Sequence, residues 1–584
     1  MCAIYGMVNY QSGINSKIAE KFLNFCSSNL GHRGPDGFDA YIGQNNAFGH
    51  SRLSIIDLSS SSTQPKIDGN LIMTYNGEIY NYKEIAEDLS DVELSLNSSD
   101  TLTLFYFLKK FSVSYLDKLN GMFAFAFANK ENSYLVRDRF GVKPLYYSWV
   151  GDTLFFSSEI NILRDYLEIN RIDEAEYSKL REKNICDYNS KTIYKGIFQI
   201  PAGSYLTISK GSVTISKWYT PKARSSGTTE EDFEDKLVAA IERRMVADVP
   251  ICISLSGGLD SSTIYCLSNE RLGVTLPAFT CTHETHKTNE FERASYLASY
   301  YSGELTAVPS KVSEINSLRD FEASVLATEY PIWGVSSLDY DNLYHAMRQS
   351  GYRVVIEGHG ADEVLSGYGF MLRQAIVDAI RSGEIGLSVK LVHNLIAVEP
   401  NLLKKNALTL TKFWLGCLLS GLKLRGDTRS SSEVRIDAIV SDILPSILRC
   451  FDRLSMKNSL ESRAPFLDYK VVEQGLGMTG EQLLTNLGNK SILRKILNKY
   501  GHFNITENTQ KLGFASDLEL LLVNVRFWNT IKEDDFFIKN YERFPYIKKA
   551  LNLKNYHLYS EKDLYEIFRE LGFLIFEKNL YGEN

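Results

Sequence analysis

The stretch "VPICISLSGGLDSSTIYCLSNE" (residues 249–270) decides how the larger part of the chain is read. It starts as an apolar, strand-like run, breaks at Gly257 and Gly258, and resumes as a helical pattern. Two glycines let a backbone approach a ligand closely, and a helix that starts directly after them offers unpaired N–H groups. Ser256, Ser261 and Ser262 add hydroxyls, so the loop is an anion cradle. A plain Gly-rich turn would explain the glycines but not the flanking serines and Asp260. The loop lacks the Lys of G-x-x-x-x-G-K-[ST] and the spacing of G-x-G-x-x-G, so it is neither a Walker loop nor a dinucleotide fingerprint.

Downstream, strand and helix patterns alternate. "PAFTCTHE" (277–284) and "YRVVIEG" (352–358) read as strands, and "NEFERASYLASYYS" (289–302) as a helix. Upstream, Phe233, Leu237, Ile241 and Met245 keep helical spacing. This alternation predicts an α/β doubly wound parallel sheet with its ligand site at the carboxyl ends of the strands. Residues 370–584 read as mainly helical. In the final segment Ser560 and Asp563 resemble a cap, and Leu564, Ile567, Phe568, Leu571 and Ile575 share one face, as in a packing helix. Residues 1–220 are different: short alternating runs such as "LIMTYNGEIY" (71–80) and "GMFAFAFANKENSYLVRD" (121–138) predict an α+β region, with helices near 16–29 and 100–111. The polar "PKARSSGTTEED" (221–232) reads as a linker leading into a helix. The expected domains are 2–220 and 229–584.

Composition narrows the function classes. A chain of 584 residues needs at least two cores, and 44% hydrophobic residues can build them. A net charge of -7 without a Lys/Arg-rich run argues against a nucleic-acid partner. The eight cysteines are scattered, without C-x-x-C pairs, so neither a disulfide framework nor a zinc site is indicated. "ALTLTKFWLGCLLSGL" (407–422) is short, broken by Lys412, and reads as a buried helix rather than a membrane span. A soluble, cytoplasmic protein is expected.

Three further places carry chemistry. "EGHGADEVLSGYG" (357–369) follows a strand, so Asp362 and Glu363 would face Asp260 across the sheet edge, a hard-oxygen set of the kind Mg²⁺ requires beside phosphates. Lys511, in "TQKLGF", is a cation that could meet a departing anion. Cys2 follows Met1 directly. Once Met1 is lost, Cys2 joins a thiol to its own α-amine, a usable base near neutral pH.

The chain resembles the glutamine-hydrolysing asparagine synthetases. The resemblance rests on "MCAIYG", "GHRGPD", "SRLSIID", "YNGEIYN", "NGMFAFAFAN", "RDRFGVKPLYY", "IPAGSY", "SLSGGLDSS", "GADE" and "SLESRAPFLD", in that order. It implies an N-terminal-nucleophile glutaminase sandwich joined to an ATP pyrophosphatase-type synthetase domain. Glutamine would release ammonia at Cys2, and the ammonia would cross a tunnel to attack an acyl-adenylate. By match, Arg52 would bind the glutamine α-carboxylate, and Glu78 and Asp100 its α-amino group. Asn76 and the Gly77 N–H would form the oxyanion hole. Leu255, Ser256, Gly257, Gly258, Leu259, Asp260, Ser261, Ser262 and Gly358 would hold ATP, Asp260 and Asp362 Mg²⁺, and Lys511 the pyrophosphate. The implied partners are glutamine, ATP and a carboxylate acceptor, with a homodimer as a compatible assembly.

One position departs from the pattern. The family usually reads G-E-G-[AS]-D-E where this chain has Gly358-His359-Gly360-Ala361-Asp362-Glu363. His359 replaces a carboxylate, and imidazole can serve as a base near pH 7. The change is equally compatible with an acceptor other than aspartate, such as a uronic acid of a surface polysaccharide or a peptide side chain.

Overall fold

The computed structural model describes residues 2–89, 99–224, 229–283, 290–331, 336–398, 415–417, 419–420, 429–507, 518–552 and 561–581. The first region is a sandwich of two antiparallel six-stranded sheets. One sheet is built from β1 (Ala3–Val8), β2 (Gly37–Ile42), β3 (Asn46–Arg52), β8 (Tyr146–Val150), β9 (Thr153–Ser157) and β10 (Ile197–Gln199), in the order β10-β8-β9-β1-β3-β2. The other contains β4 (Lys66–Asp68), β5 (Leu71–Ile79), β6 (Gly121–Ala128), β7 (Asn132–Arg137), β11 (Ser204–Ser209) and β12 (Ser212–Lys217), in the order β12-β11-β7-β6-β5-β4.

The run "FAFAFA" in β6 shows why this sequence stacks two sheets under helices. Side chains alternate faces along a strand. Phe123, Phe125 and Phe127 therefore pack on one face with Leu104 and Leu108 of the helix Asp100–Phe111. Ala124, Ala126 and Ala128 point the other way, into the core between the sheets, against Ile4, Val8, Phe48 and Phe156. Small residues on that face let the sheets approach. The opposite sheet is covered by the helix Ser16–Asn29 through Ala19, Phe22, Leu23 and Cys26.

The second region contains a five-stranded parallel sheet of β13 (Ile251–Ser254), β14 (Ala278–Thr282), β15 (Leu305–Pro309), β16 (Val354–Ile356) and β17 (Glu461–Arg463). Its order is β15-β14-β13-β16-β17, so the chain winds outward from β13 and then returns to the other side. The strand order switches between β13 and β16, which is where α/β sheets place ligands. The helix entering this sheet, Glu230–Arg244, has Thr229 as N-cap and a reciprocal capping box with Asp232, a device worth about 1 kcal/mol. Its Phe233, Leu237 and Ile241 are fully buried, as their spacing predicts.

The C-terminal helix Glu561–Tyr581 buries Leu564, Ile567, Phe568, Leu571 and Ile575. It packs partly on the first region: Tyr177 meets Phe573 edge-on and stacks on Phe576, and its hydroxyl donates to Glu577 Oε1 at 2.9 Å. The cap-like Ser560, the linker tip 225–228 and most of 407–422 lie outside the described residues. Among the described residues no helix is long and apolar enough to cross a membrane.

The two regions are joined by buried ion pairs centred on the helix Leu444–Lys457. Arg33 is fully buried and pairs with Asp452 at 2.9 Å and Glu159 at 3.1 Å. Arg449 pairs with Asp187 at 2.6 Å and with Glu329 at 3.1 Å. Arg453 pairs with Asp452 at 2.6 Å and also with Glu329. A charge buried at this depth is strongly destabilising once it loses its partner.

Candidate active sites

The first site forms at one end of the sandwich. Cys2 stands at the head of β1, Arg52 ends β3, Asn76, Gly77 and Glu78 lie on β5, and Asp100 begins a helix. One cavity is lined by Cys2, Arg52, Gly77, Glu78 and Asp100 together. The backbone N–H of Cys2 donates to Asn76 Oδ1 at 3.0 Å. Asn76 is fully buried, yet its Nδ2 has no hydrogen-bond partner. A buried amide donor without a partner costs free energy unless a ligand accepts from it. Gly77 has φ +149°, and a Cβ there would meet Met122 O at 2.1 Å, so only glycine fits beside β6.

Charge around this cavity is graded. Glu78 is buried, lies 3.4 Å from Arg463, and keeps Oε2 without a hydrogen-bond partner. Burial, with Glu461 and Asp100 nearby, pushes its carboxyl well up. Asp100 accepts from the Tyr75 hydroxyl at 2.8 Å and from Ile79 N–H at 3.2 Å, but burial still raises it to about 6. Burial also pushes the Cys2 thiol up, so it needs a base before it can act as a nucleophile. Arg52 is held by the carbonyls of Ser59 and Asp57 at 2.9 and 2.5 Å. Two carboxyls and one guanidinium around one cavity suit a zwitterion.

His50, which was not singled out from the sequence, also lines the cavity. It is buried, and its imidazole is pushed down to about 3, chiefly by burial. It is therefore neutral at physiological pH. Its only sequence signal was its place two residues before Arg52.

The second site lies at the switch point of the parallel sheet. Gly257 has φ +71° and a Cβ there would meet Glu290 O at 2.4 Å, so the turn after β13 requires glycine. Ser256 and Ser261 hydroxyls are 3.1 Å apart, and Gly258 N–H donates to Ser256 Oγ at 3.2 Å. The helix Leu259–Leu272 starts directly after, and Leu255 is buried beneath the loop. Ser262 Oγ is buried and has no hydrogen-bond partner. The loop after β16 touches this one: a Cβ on Gly358 would lie 2.8 Å from Asp260 Cβ.

Between the loops stands Lys490, from "GNKSILRK". Its ammonium lies 2.7 and 2.8 Å from the two Asp260 oxygens and 2.7 Å from Asp362 Oδ1. Burial would lower it, but Asp260 and Asp362 overcome this and hold it above the usual lysine range. The two aspartates thus converge on one cation-sized point that the ammonium fills, and a divalent ion held by the same carboxylates would displace it toward the phosphates. Lys490 has φ +48°, an uncommon backbone for a side-chain-bearing residue. Sequence spacing gave no reason to separate it from ordinary helix lysines. Glu363 is buried and accepts from Tyr368 OH at 2.8 Å. Lys511 lies outside the described residues.

With this geometry established, the likeness to known proteins takes on meaning. A family model described as "Glutamine amidotransferase domain" matches residues 1–219, and one described as "Asparagine synthase" matches residues 232–531. "Asparagine synthetase [glutamine-hydrolyzing] 1" of Bacillus subtilis (strain 168) is 27% identical, over 93% of this chain and 92% of its own length. "Asparagine synthetase [glutamine-hydrolyzing] 3" of the same organism is also 27% identical, over 85% of this chain and 84% of its own. "Amidase chyE" of Penicillium rubens is 30% identical over 62% of this chain and 57% of its own. Because the second family model alone matches more than half of the sequence, this chain belongs to the asparagine synthase family, as a glutamine-dependent amidotransferase of the asparagine synthetase kind.

Proposed function

We propose that the chain makes an amide from a carboxylic acid, with glutamine as nitrogen donor and ATP as activating agent, and that aspartate is the acceptor. The observation that carries the first half is the single cavity shared by Cys2, Arg52, Gly77, Glu78 and Asp100. The α-amine of Cys2, free once Met1 is removed, takes the thiol proton, and the sulfur attacks the glutamine amide carbon. Asn76 Nδ2 and the Gly77 N–H receive the developing oxyanion, which preorganised donors stabilise best in a buried site. Arg52 holds the α-carboxylate, while Glu78 and Asp100 hold the α-ammonium group. Ammonia leaves and glutamate follows by hydrolysis of the thioester.

In the second domain, taken as 229–584 beside a glutaminase domain of 2–220, residues 255–262 and Gly358 hold ATP. Asp260 and Asp362 are the residues that would hold Mg²⁺, which when bound neutralises the pyrophosphate and improves it as a leaving group. Lys490, and Lys511 by match, stabilise the same departing charge. The acceptor carboxylate displaces pyrophosphate to give an acyl-adenylate, and ammonia displaces AMP.

His359 supports a second reading of the acceptor, a uronic acid or peptide side chain in place of aspartate, because a carboxylate of the family pattern is missing there. A screen of acceptor carboxylates, scored by glutamine-dependent release of AMP and pyrophosphate, separates the two. Release with aspartate alone supports the first reading. Release only with another acid replaces it.

A further inference from the structure

The carboxylate missing at position 359 has a counterpart two residues earlier. β16 runs into Glu357, whose backbone N–H donates to Arg463 O at the end of β17 at 2.9 Å. Its side chain is 2% exposed. The Tyr344 hydroxyl lies 3.0 and 2.9 Å from its two oxygens, and the Ser462 hydroxyl donates to Oε2. The only basic side chain paired with it among the described residues is His359, whose Nε2 lies 3.3 Å from Oε2. That nitrogen is buried and makes no aligned hydrogen bond. Such contacts in resting enzymes commonly tighten only when substrate is bound. The imidazole is held from the other side by Phe451, with ring centroids 3.7 Å apart. Phe451 in turn meets Tyr340 edge-on at 4.5 Å.

We propose that Glu357 is the positioning residue for His359. Its carboxylate keeps the ring proton on Nε2 and leaves the lone pair of Nδ1 for the incoming nitrogen. When ammonia attacks the acyl carbon, the new C–N bond forms and the bond from that carbon to the AMP phosphate oxygen breaks, its electron pair leaving with AMP. One proton of the attacking nitrogen passes to Nδ1. The imidazolium so formed is stabilised through Nε2–H by Glu357. The motif's carboxylate is thus retained in this chain, displaced to 357 and acting through an imidazole. The inference rests on the amide-forming reading of the second domain.

The test compares Glu357→Gln, His359→Gln and the double variant, using ammonium and an active acceptor at saturation. Glutamine hydrolysis at Cys2 serves as the folding control. A correctly placed general base contributes about 10² to 10⁴ in rate, and losing its orienting carboxylate removes a large part of that. Glu357→Gln should therefore lower kcat for amide formation roughly 10²-fold, with the acceptor KM moving less than about threefold. The double variant should be no slower than His359→Gln alone. Independent, multiplying losses, or a raised KM with unchanged kcat, would overturn the proposal. Should Glu357→Gln not fold, Glu357→Asp carries the same expectation at about a tenfold loss. The ¹⁵N spectrum of histidine-labelled protein, assigned by loss of the His359 signal in His359→Gln, reads the tautomer without turnover. An Nε2-protonated ring that changes in Glu357→Gln supports the proposal, and an Nδ1-protonated ring contradicts it. If no acceptor turns over in the unaltered enzyme, the amide-forming reading fails, and the ring spectrum alone decides the role of Glu357.

Discussion

Replacing Asn76 by Ala separates the two tasks its amide performs. Oδ1 accepts from the Cys2 N–H at 3.0 Å, whereas Nδ2 is buried and unpartnered in the resting site. Losing the acceptor leaves the half-buried Cys2 nitrogen without that partner, at about 1–3 kcal/mol if no water replaces it. Removing an orphan donor offsets part of this, so the net effect on stability should fall near 1 kcal/mol, at the low end of that range. The transition state loses more. One of two oxyanion donors disappears, a change worth about 10² to 10³ in kcat, or roughly 2.7–4 kcal/mol. Glutamate formation without ATP, followed over a range of glutamine concentrations, should show kcat down by that factor and KM changed only slightly. Asn76→Asp preserves the acceptor for Cys2 but cannot donate, and should lose a similar factor. A KM defect with kcat within threefold of the parent would show that Asn76 binds ground-state substrate and that the oxyanion assignment is wrong.

Other expectations follow from charge. Asp100 is raised to about 6 by burial, so its ionised form, which the substrate ammonium needs, is lost as pH falls through about 6. The glutamine KM should rise below that pH, about tenfold per unit, and Asp100→Asn should show a high KM without that limb. A parent enzyme with a flat KM from pH 5 to 8 would refute it. Asp452→Asn leaves Arg33 and Arg453 short of a buried partner and should cost about 3–5 kcal/mol, read as a lower urea midpoint. Although burial would raise Asp452, Arg33 and Arg453 hold it down to about 2, so its stabilisation is full above the ordinary aspartate range and fades as pH falls through about 2. An unchanged midpoint in the variant at pH 7 would count against the network as a clamp. Lys490→Met removes the ammonium between Asp260 and Asp362, and should cut pyrophosphate release at least about 10²-fold while glutamine hydrolysis continues. Pyrophosphate release at the parent rate would exclude Lys490 from the site.

Much of this architecture could be read from local pattern. "FAFAFA" announces a strand with two dissimilar faces, and "ICISLSGGLDSS" announces a strand, a ligand loop and a helix, because period and glycine placement act over a few residues. That Cys2, Arg52, Gly77, Glu78 and Asp100 line one cavity was foreshadowed only by the ordered motifs; no spacing brings Asp100 to β5. β17 escaped pattern reading. A three-residue strand, Glu461–Arg463, shows no periodicity and owes its conformation to pairing with β16. Lys490 and Glu357 escaped for a related reason: each acquires its role from a partner on a separate segment, Asp260 and Asp362 for one, Tyr344 and Ser462 for the other. His359 stood out as a departure from pattern, but only the fold revealed a carboxylate 3.3 Å from it.

Nitrogen released at Cys2 should become the amide nitrogen of an ATP-activated acid. Glutamine labelled with ¹⁵N at its side-chain amide, incubated with enzyme, ATP, Mg²⁺ and aspartate or a hexuronic acid, tests it in one mass-spectrometric measurement. ¹⁵N is expected in the amide of one of these acids, with AMP and pyrophosphate formed in equal amount. Hydrolysis of glutamine with all the ¹⁵N left as free ammonium, and no labelled amide from either acid, would contradict it.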